Sequence, residues 1–284
     1  MISRTTLFFI LLLGANLFAQ KSSENLLDIS NRIKFGNYLY KEKDFIRSID
    51  EYKIILQSYD DDTIKFRFAK SFFNLHRFNE AAENFKTLFL SQSLSEEAKL
   101  FYFQSYFFQN DFSTFRKITS RQIYFPERYS KEVKRLISIS YLLSDEKLPE
   151  QKSLLEPFDD SLQTRLYLFY QLKKNPPQKN PTTAAVFSAL IPGAGKIYTG
   201  EISDGIIAFL ATTVSAYLAV NNFQHDHNFR GWLFTGLTSF FYGGNVYGSF
   251  LSAKNFNVTA KENLQTEIKT FFEKRNYTMP ETDF

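Results

Sequence analysis

The chain has no cysteine. That excludes disulfides, thiolate metal sites, a cysteine nucleophile and a lipid-modified N-terminal cysteine, and it fits any compartment. Backbone breakers are also scarce, with eleven glycines and eight prolines in 284 residues. Because the apolar residues recur at helical spacing, that scarcity points to an α-rich protein of one or two domains with a sizeable core. A large excess of one charge is missing too. The net charge is +4, with Lys and Glu interspersed through the first 170 residues. This is a mixed, solvated surface rather than a nucleic-acid footprint. What the sequence has in quantity is aromatic: 33 Phe and 16 Tyr against one Trp.

The first twenty residues, MISRTTLFFILLLGANLFAQ, carry a basic start at Arg4 and an apolar run from Leu7 to Leu13. A small-residue zone follows, ending at Ala19. The run is short for a membrane span, and the order of the three zones matches a secretory signal peptide, residues 1–19. Export is the expectation that follows.

Three later stretches repeat. FGNYLYKEKDFIRSIDEYKIIL begins at Phe35, FAKSFFNLHRFNEAAENFKTLF at Phe68 and YFQSYFFQNDFSTFRKI at Tyr102. Aligned, Gly36, Ala69 and Phe103 fall 33 and 34 residues apart, and Leu39, Phe72 and Tyr106 correspond. Phe45, Phe78 and Phe112 follow the turn positions Asp44, Arg77 and Asp111, and Ser48 and Tyr52 match Ala81 and Phe85. Small residues at 36, 48, 69 and 81 let two helices cross closely, and large ones at 39, 52, 72 and 85 fill the space between neighbours. A period near 34 predicts a helical-hairpin solenoid, in which about three or more hairpins must stack to bury their apolar faces.

On these residues the segment resembles the tetratricopeptide repeat family. Gly36 and Ala69 stand at the small position of the first helix, Ser48 and Ala81 at that of the second, and Tyr52 and Phe85 at its aromatic position. The third copy departs, with Phe103 and Phe115 where small residues are expected. Helices over Ser130 to Leu143 and Ser161 to Lys174 complete a domain of residues 20–174, as one degenerate repeat and a cap. The resemblance implies a concave face that binds protein partners, and it names no ligand.

Residues 175–183 read as a Pro-rich linker and a domain boundary, with Pro176, Pro177 and Pro181 breaking the helical pattern. Composition then changes. Over 184–254 the charged residues are few, and two apolar runs, about 202–220 and 231–253, each have the length of a membrane span. Gly236, Gly243, Gly244 and Gly248 suit close helix packing, and Trp232 and Tyr247 suit the interfaces. The piece 184–199 begins as helix and is interrupted at Pro192–Gly193; a short interfacial helix, a re-entrant segment and a broken span all fit it. Two-span and three-span arrangements stay open. With the repeats outside the cytoplasm, Lys173, Lys174, Lys179 and Lys196 flank the first span on the outer side, against the positive-inside tendency. The tail, 255–284, is amphipathic through Leu264, Ile268, Phe271 and Phe272.

The glycine cluster IPGAGKIYTG, Ile191 to Gly200, is not a phosphate loop. A Walker-type loop ending at Lys196 requires Gly at 190 and Ser or Thr at 197, where the chain has Leu190 and Ile197. A dinucleotide fingerprint starting at Gly193 fails at Tyr198. The sequence Pro192-Gly193-Ala194-Gly195-Lys196-Ile197-Tyr198-Thr199-Gly200, followed by Asp204-Gly205, instead resembles a Pro-Gly-x-Gly-x-x-Tyr-x-Gly module of bacterial, Bacteroidetes-type envelope proteins, in which such a loop introduces two transmembrane helices. His225-Asp226-His227 and Asp60-Asp61-Asp62 lack the companions that a metal site requires, and no serine-nucleophile motif is present.

The fold class expected is therefore all-α: a tetratricopeptide-like solenoid followed by a C-terminal transmembrane helical hairpin. The expected work is that of a scaffold at the bacterial cell envelope, exported, membrane-associated, with periplasmic repeats that hold partner proteins. No enzyme activity, cofactor, metal or nucleic acid is expected. The bilayer is a partner, and the small-residue membrane helices are an expected homo-oligomer contact. The competing reading makes the helical hairpin the active part, a small transport or membrane-assembly element regulated by the repeats, with Lys196, Asp204 and Asn245 as its polar groups.

Overall fold

In the computed structural model, residues 28–121 and 124–278 are described. The expected signal peptide lies outside them. They form thirteen helices and no strand. The described residues divide into two compact units, 28–140 with 278, and 141–277.

The first unit is built from α1 (Ile29–Lys41), α2 (Phe45–Ile55), α3 (Asp62–Asn74), α4 (Phe78–Lys86), α5 (Ser95–Phe108), α6 (Phe112–Thr119) and most of α7 (Ser130–Leu143). From α1 to α6 each helix packs on its successor. The first two pairs and the third share one turn. Lys43, His76 and Asn110 take positive φ of 61°, 58° and 59°, each just before the second helix of its pair. The amides of Asp44 and Arg77 then donate to the carbonyls of Leu39 and Phe72, both at 2.9 Å. These are αL stops that satisfy the last carbonyls of the first helix. Asp44 and Asp111 cap the next helix by accepting from the Arg47 and Thr114 amides. Arg77 has no such oxygen and its guanidinium binds Glu80 instead.

The core between these helices is aromatic. Phe85 stacks on Phe101 at 5.4 Å, and Phe66 meets both edge-on at 5.5 and 5.7 Å. Such pairs add about 0.5–1.5 kcal/mol each beyond the area they bury. The small positions carry the close crossings: a Cβ on Gly36 would lie 3.0 Å from the Tyr52 ring. The Ser48 and Ser71 hydroxyls meet at 3.0 Å; one donates to the other, which in turn donates to a carbonyl of its own helix. Phe103 and Phe115, the large residues of the third pair, are fully buried.

The second unit holds the end of α7, α8 (Gln151–Leu155), α9 (Asp160–Lys174), α10 (Pro181–Leu190), α11 (Ala194–Thr199), α12 (Ile202–Gln224) and α13 (Asn228–Glu273). Two expectations need correcting. The boundary falls at residue 140, not at the Pro-rich stretch. That stretch is fastened to α13, since the Lys179 amide donates to Asn257 Oδ1 at 2.7 Å and Asn257 Nδ2 returns a bond to the Lys179 carbonyl at 2.9 Å. Accordingly α9 belongs to the second unit, where Phe169 meets Phe271 at 5.3 Å. The second apolar run and the tail are also not separate pieces. They are consecutive halves of α13, whose 46 residues span roughly 70 Å.

Among the described residues one helix, α12, is long and apolar enough to cross a membrane, and only 17% of its apolar window is buried. Residues 231–253 carry too much Gly, Ser, Thr and Asn to meet the same measure.

Candidate functional site

The site is assembled by the glycine cluster. Gly193 has φ +87°, and a Cβ there would sit 1.9 Å from the Gly205 carbonyl oxygen. A Cβ on Gly195 would sit 1.9 Å from the Ala184 carbonyl oxygen and 2.7 Å from the Ser249 side chain. Backbone thus meets backbone where α10, α11, α12 and α13 come together, which only glycine permits. Hydroxyls bind the contact: Ser188 Oγ accepts the Gly195 amide at 2.8 Å and pairs with Ser249 Oγ at 2.7 Å, while Thr199 pairs with Ser252 at 2.5 Å. All four are buried. Tyr198 receives the Asn180 amide at 3.3 Å and lies edge-on to Phe187. Pro192 is half-buried and Gly200, in αL conformation, ends α11.

Beside this junction is a cavity of about 400 Å³. Lys196, Asp204 and Asn245 line it, with walls from Ile207, Ala208, Ala211, Phe240, Phe241 and Gly244. The Lys196 stem reaches it over α13, where a Cβ on Gly248 would be 3.6 Å from Lys196 Cε. Lys196 is half-buried and Asp204 stands exposed at the first turn of α12. Neither side chain has a hydrogen-bond or ion-pair partner among the described residues. Asn245 is only 5% exposed, and neither its Oδ1 nor its Nδ2 has a partner. An unpaired buried amide costs about 1–3 kcal/mol. A cation, an anion and an unsatisfied amide thus face one small space.

Gly36, Leu39, Ser48, Tyr52, Ala69, Phe72, Ala81 and Phe85 are all buried in the first unit. Asp61 caps α3 through the Ile64 amide, and Asp60 and Asp62 pair with Lys65. His225 binds the Asn221 carbonyl at 2.8 Å, and no group of three metal-ligating side chains occurs among the described residues.

Two features escaped the sequence reading. Ser249 and Ser252 extend the position of Asn245 into a polar stripe at helical spacing on α13, a signal visible in the sequence. Lys70 was not visible: its Nζ lies 3.2 Å from the Phe101 ring centroid and 5.3 Å from that of Phe73. Burial pushes the Lys70 ammonium down to about 7, while the ring face beneath attracts the cation and pulls the other way. Elsewhere, Asp145 is shared by Lys261 at 2.7 Å and Lys173 at 3.7 Å. The Lys261 hydrogen bond holds the Asp145 carboxyl below its usual range.

No family model, curated protein or solved structure matches the chain.

Proposed function

We propose that the chain is a membrane-anchored scaffold of tetratricopeptide-like type, exported to the bacterial envelope. The first unit binds partner proteins from the periplasmic side, and α12 with the first half of α13 forms a transmembrane hairpin. One observation carries the anchoring: these two helices bury Gly, Ser, Thr and Asn and turn large apolar side chains outward. Phe240 is 74% and Trp232 69% exposed, and Ile207, Leu210, Val214, Tyr217 and Leu233 are exposed beside them. Monomeric soluble proteins rarely expose so continuous an apolar surface. The 33- to 34-residue recurrence of the turns at Lys43, His76 and Asn110 supports the repeat reading of the first unit. The small residues of α13 are also the place for a contact between copies.

Carbonate extraction of membranes, combined with photo-crosslinkers in the full-length chain, tests this. The chain is expected to stay in the membrane pellet, with lipid adducts at Tyr217 and reproducible protein adducts at exposed first-unit positions such as Tyr38, Ile54 or Leu90. Release by carbonate sinks the anchor; protein adducts at none of the first-unit positions sink the scaffold. The second reading, in which the membrane module is the active part, is favoured by the Lys196–Asp204–Asn245 cavity.

A further inference from the structure

The cavity beside the glycine junction specifies an occupant. Its three polar groups are of different kinds. Lys196 offers a cation, Asp204 an anion, and Asn245 a donor and an acceptor. None is paired with another, so a ligand of a single charge would leave one ion unanswered, which is costly where the membrane reading sets the site beside hydrocarbon. A zwitterion answers both. The rest of the lining is apolar, and through Phe240 and Ile207 it continues onto the exposed apolar face of α12 and α13. The ligand therefore has a long apolar part as well. Gly244 leaves room at the wall, since a Cβ there would meet nothing within 4 Å.

We propose that this cavity binds a phospholipid whose headgroup carries a phosphate and a primary ammonium. The phosphate pairs with Lys196, the ammonium donates to Asp204, and the Asn245 amide bonds the glycerol ester region. The acyl chains run out along Phe240 and Ile207. The site rests on the reading of the second unit as a membrane module. It gives that module a substrate class: an aminophospholipid held where a span begins.

The test uses the full-length chain in nanodiscs containing equal phosphatidylethanolamine, phosphatidylcholine and phosphatidylglycerol, with retained lipid read by native mass spectrometry after release. Phosphatidylethanolamine is expected to be retained about tenfold over the other two, because the trimethylated headgroup has no N–H for Asp204 and the glycerol headgroup has no cation. Asp204→Asn should abolish the preference over phosphatidylcholine while leaving phospholipid bound. Lys196→Met should lower retention of all three, and Asn245→Leu should weaken binding without changing the order. Equal retention of the three lipids by the wild type overturns the proposal, as does an unchanged preference in Asp204→Asn. Full displacement by acyl-free glycerophosphoethanolamine assigns the site to a soluble zwitterion and overturns the lipid. Absence of selectivity in a chain that resists carbonate defeats the lipid site alone; a chain released by carbonate defeats the membrane reading with it.

Discussion

The two halves of α13 follow opposite rules within one continuous helix. Its second half buries Leu264, Ile268 and Phe272 and exposes charge. Its first half buries Gly231, Asn245, Ser249 and Ser252 and exposes Trp232, Phe240 and Tyr247. The second half resembles the first unit, where Phe66, Phe85 and Phe101 make the core. In water, apolar area drives a helix inward at about 25 cal/mol per Å². In hydrocarbon that drive vanishes, and close packing and hydroxyl bonds hold helices together. On the membrane reading proposed above, the change of rule along α13 falls where one solvent replaces the other.

The largest expected effect breaks the comparison with one residue type. Phe85→Ala should cost the first unit about 3–5 kcal/mol, since the ring is fully buried among Phe66 and Phe101. Phe240→Ala, at a site that exposes most of its ring, should leave stability in detergent within about 0.5 kcal/mol. Denaturant melts of both variants check this, and equal losses would remove the distinction. Next comes Gly195→Ala. With the Ala184 carbonyl 1.9 Å from the added methyl, helices must separate, and a loss of about 3 kcal/mol is expected from such overpacking. Gly244→Ala, in open space on α13, should instead gain up to about 1 kcal/mol from helix propensity. A loss at Gly244 as large as that at Gly195 would mean that a partner covers its face.

A titration sharpens the same contrast from the aqueous side. The folded Lys70 ammonium is pushed below its unfolded value, to about 7. Between that pH and about 10.4 the unfolded chain binds more protons than the folded one, so stability rises with pH across this window. The Phe101 ring under Nζ limits the penalty, and a rise of about 1–2 kcal/mol is expected. Above the ordinary tyrosine range the sign reverses, because burial pushes the Tyr52 hydroxyl up to about 12 and the unfolded chain ionises first. Lys70→Met should flatten the rise between pH 7 and 10 and leave the loss at higher pH. Melts of both chains across that range decide it; a wild-type curve that falls from pH 7 to 10 contradicts the burial of Lys70.

Much of this was legible in the residues. Spacing of 33 and 34 placed Gly36, Ala69, Tyr52 and Phe85, which are local matters of helix period. Failure of the phosphate-loop spacing left Gly193, Gly195 and Gly205 as residues of a turn that leads into an apolar module, with Lys196, Asp204 and Asn245 as its polar groups; that these glycines also pack backbone on backbone shows only in the fold. Tertiary decisions were not legible. The prolines at 176 and 177 suggest a free linker, but the two Asn257 bonds to Lys179 hold the segment in place. The apolar stripe of α9 fits a repeat cap equally well until Phe271 covers it. Lys70 acquires its environment from Phe101, thirty-one residues away.

The smallest effect concerns turns, where the two units again differ. The first unit ends α1 and α3 on Lys43 and His76, ordinary residues in the αL region. The second unit uses glycine there, at Gly200 with φ +96°. A Cβ in αL costs about 1–2 kcal/mol, partly offset by the greater freedom glycine loses on folding. Lys43→Gly should therefore stabilise the chain by a few tenths to about 1 kcal/mol. Gly200→Ala has nothing within 4 Å to clash with, so backbone strain alone acts, and about 1 kcal/mol should be lost. Opposite signs in paired thermal melts would show that both turns are held in αL by their helices. A loss at Lys43 would mean instead that its side chain contacts a bound partner or the rest of the folded chain.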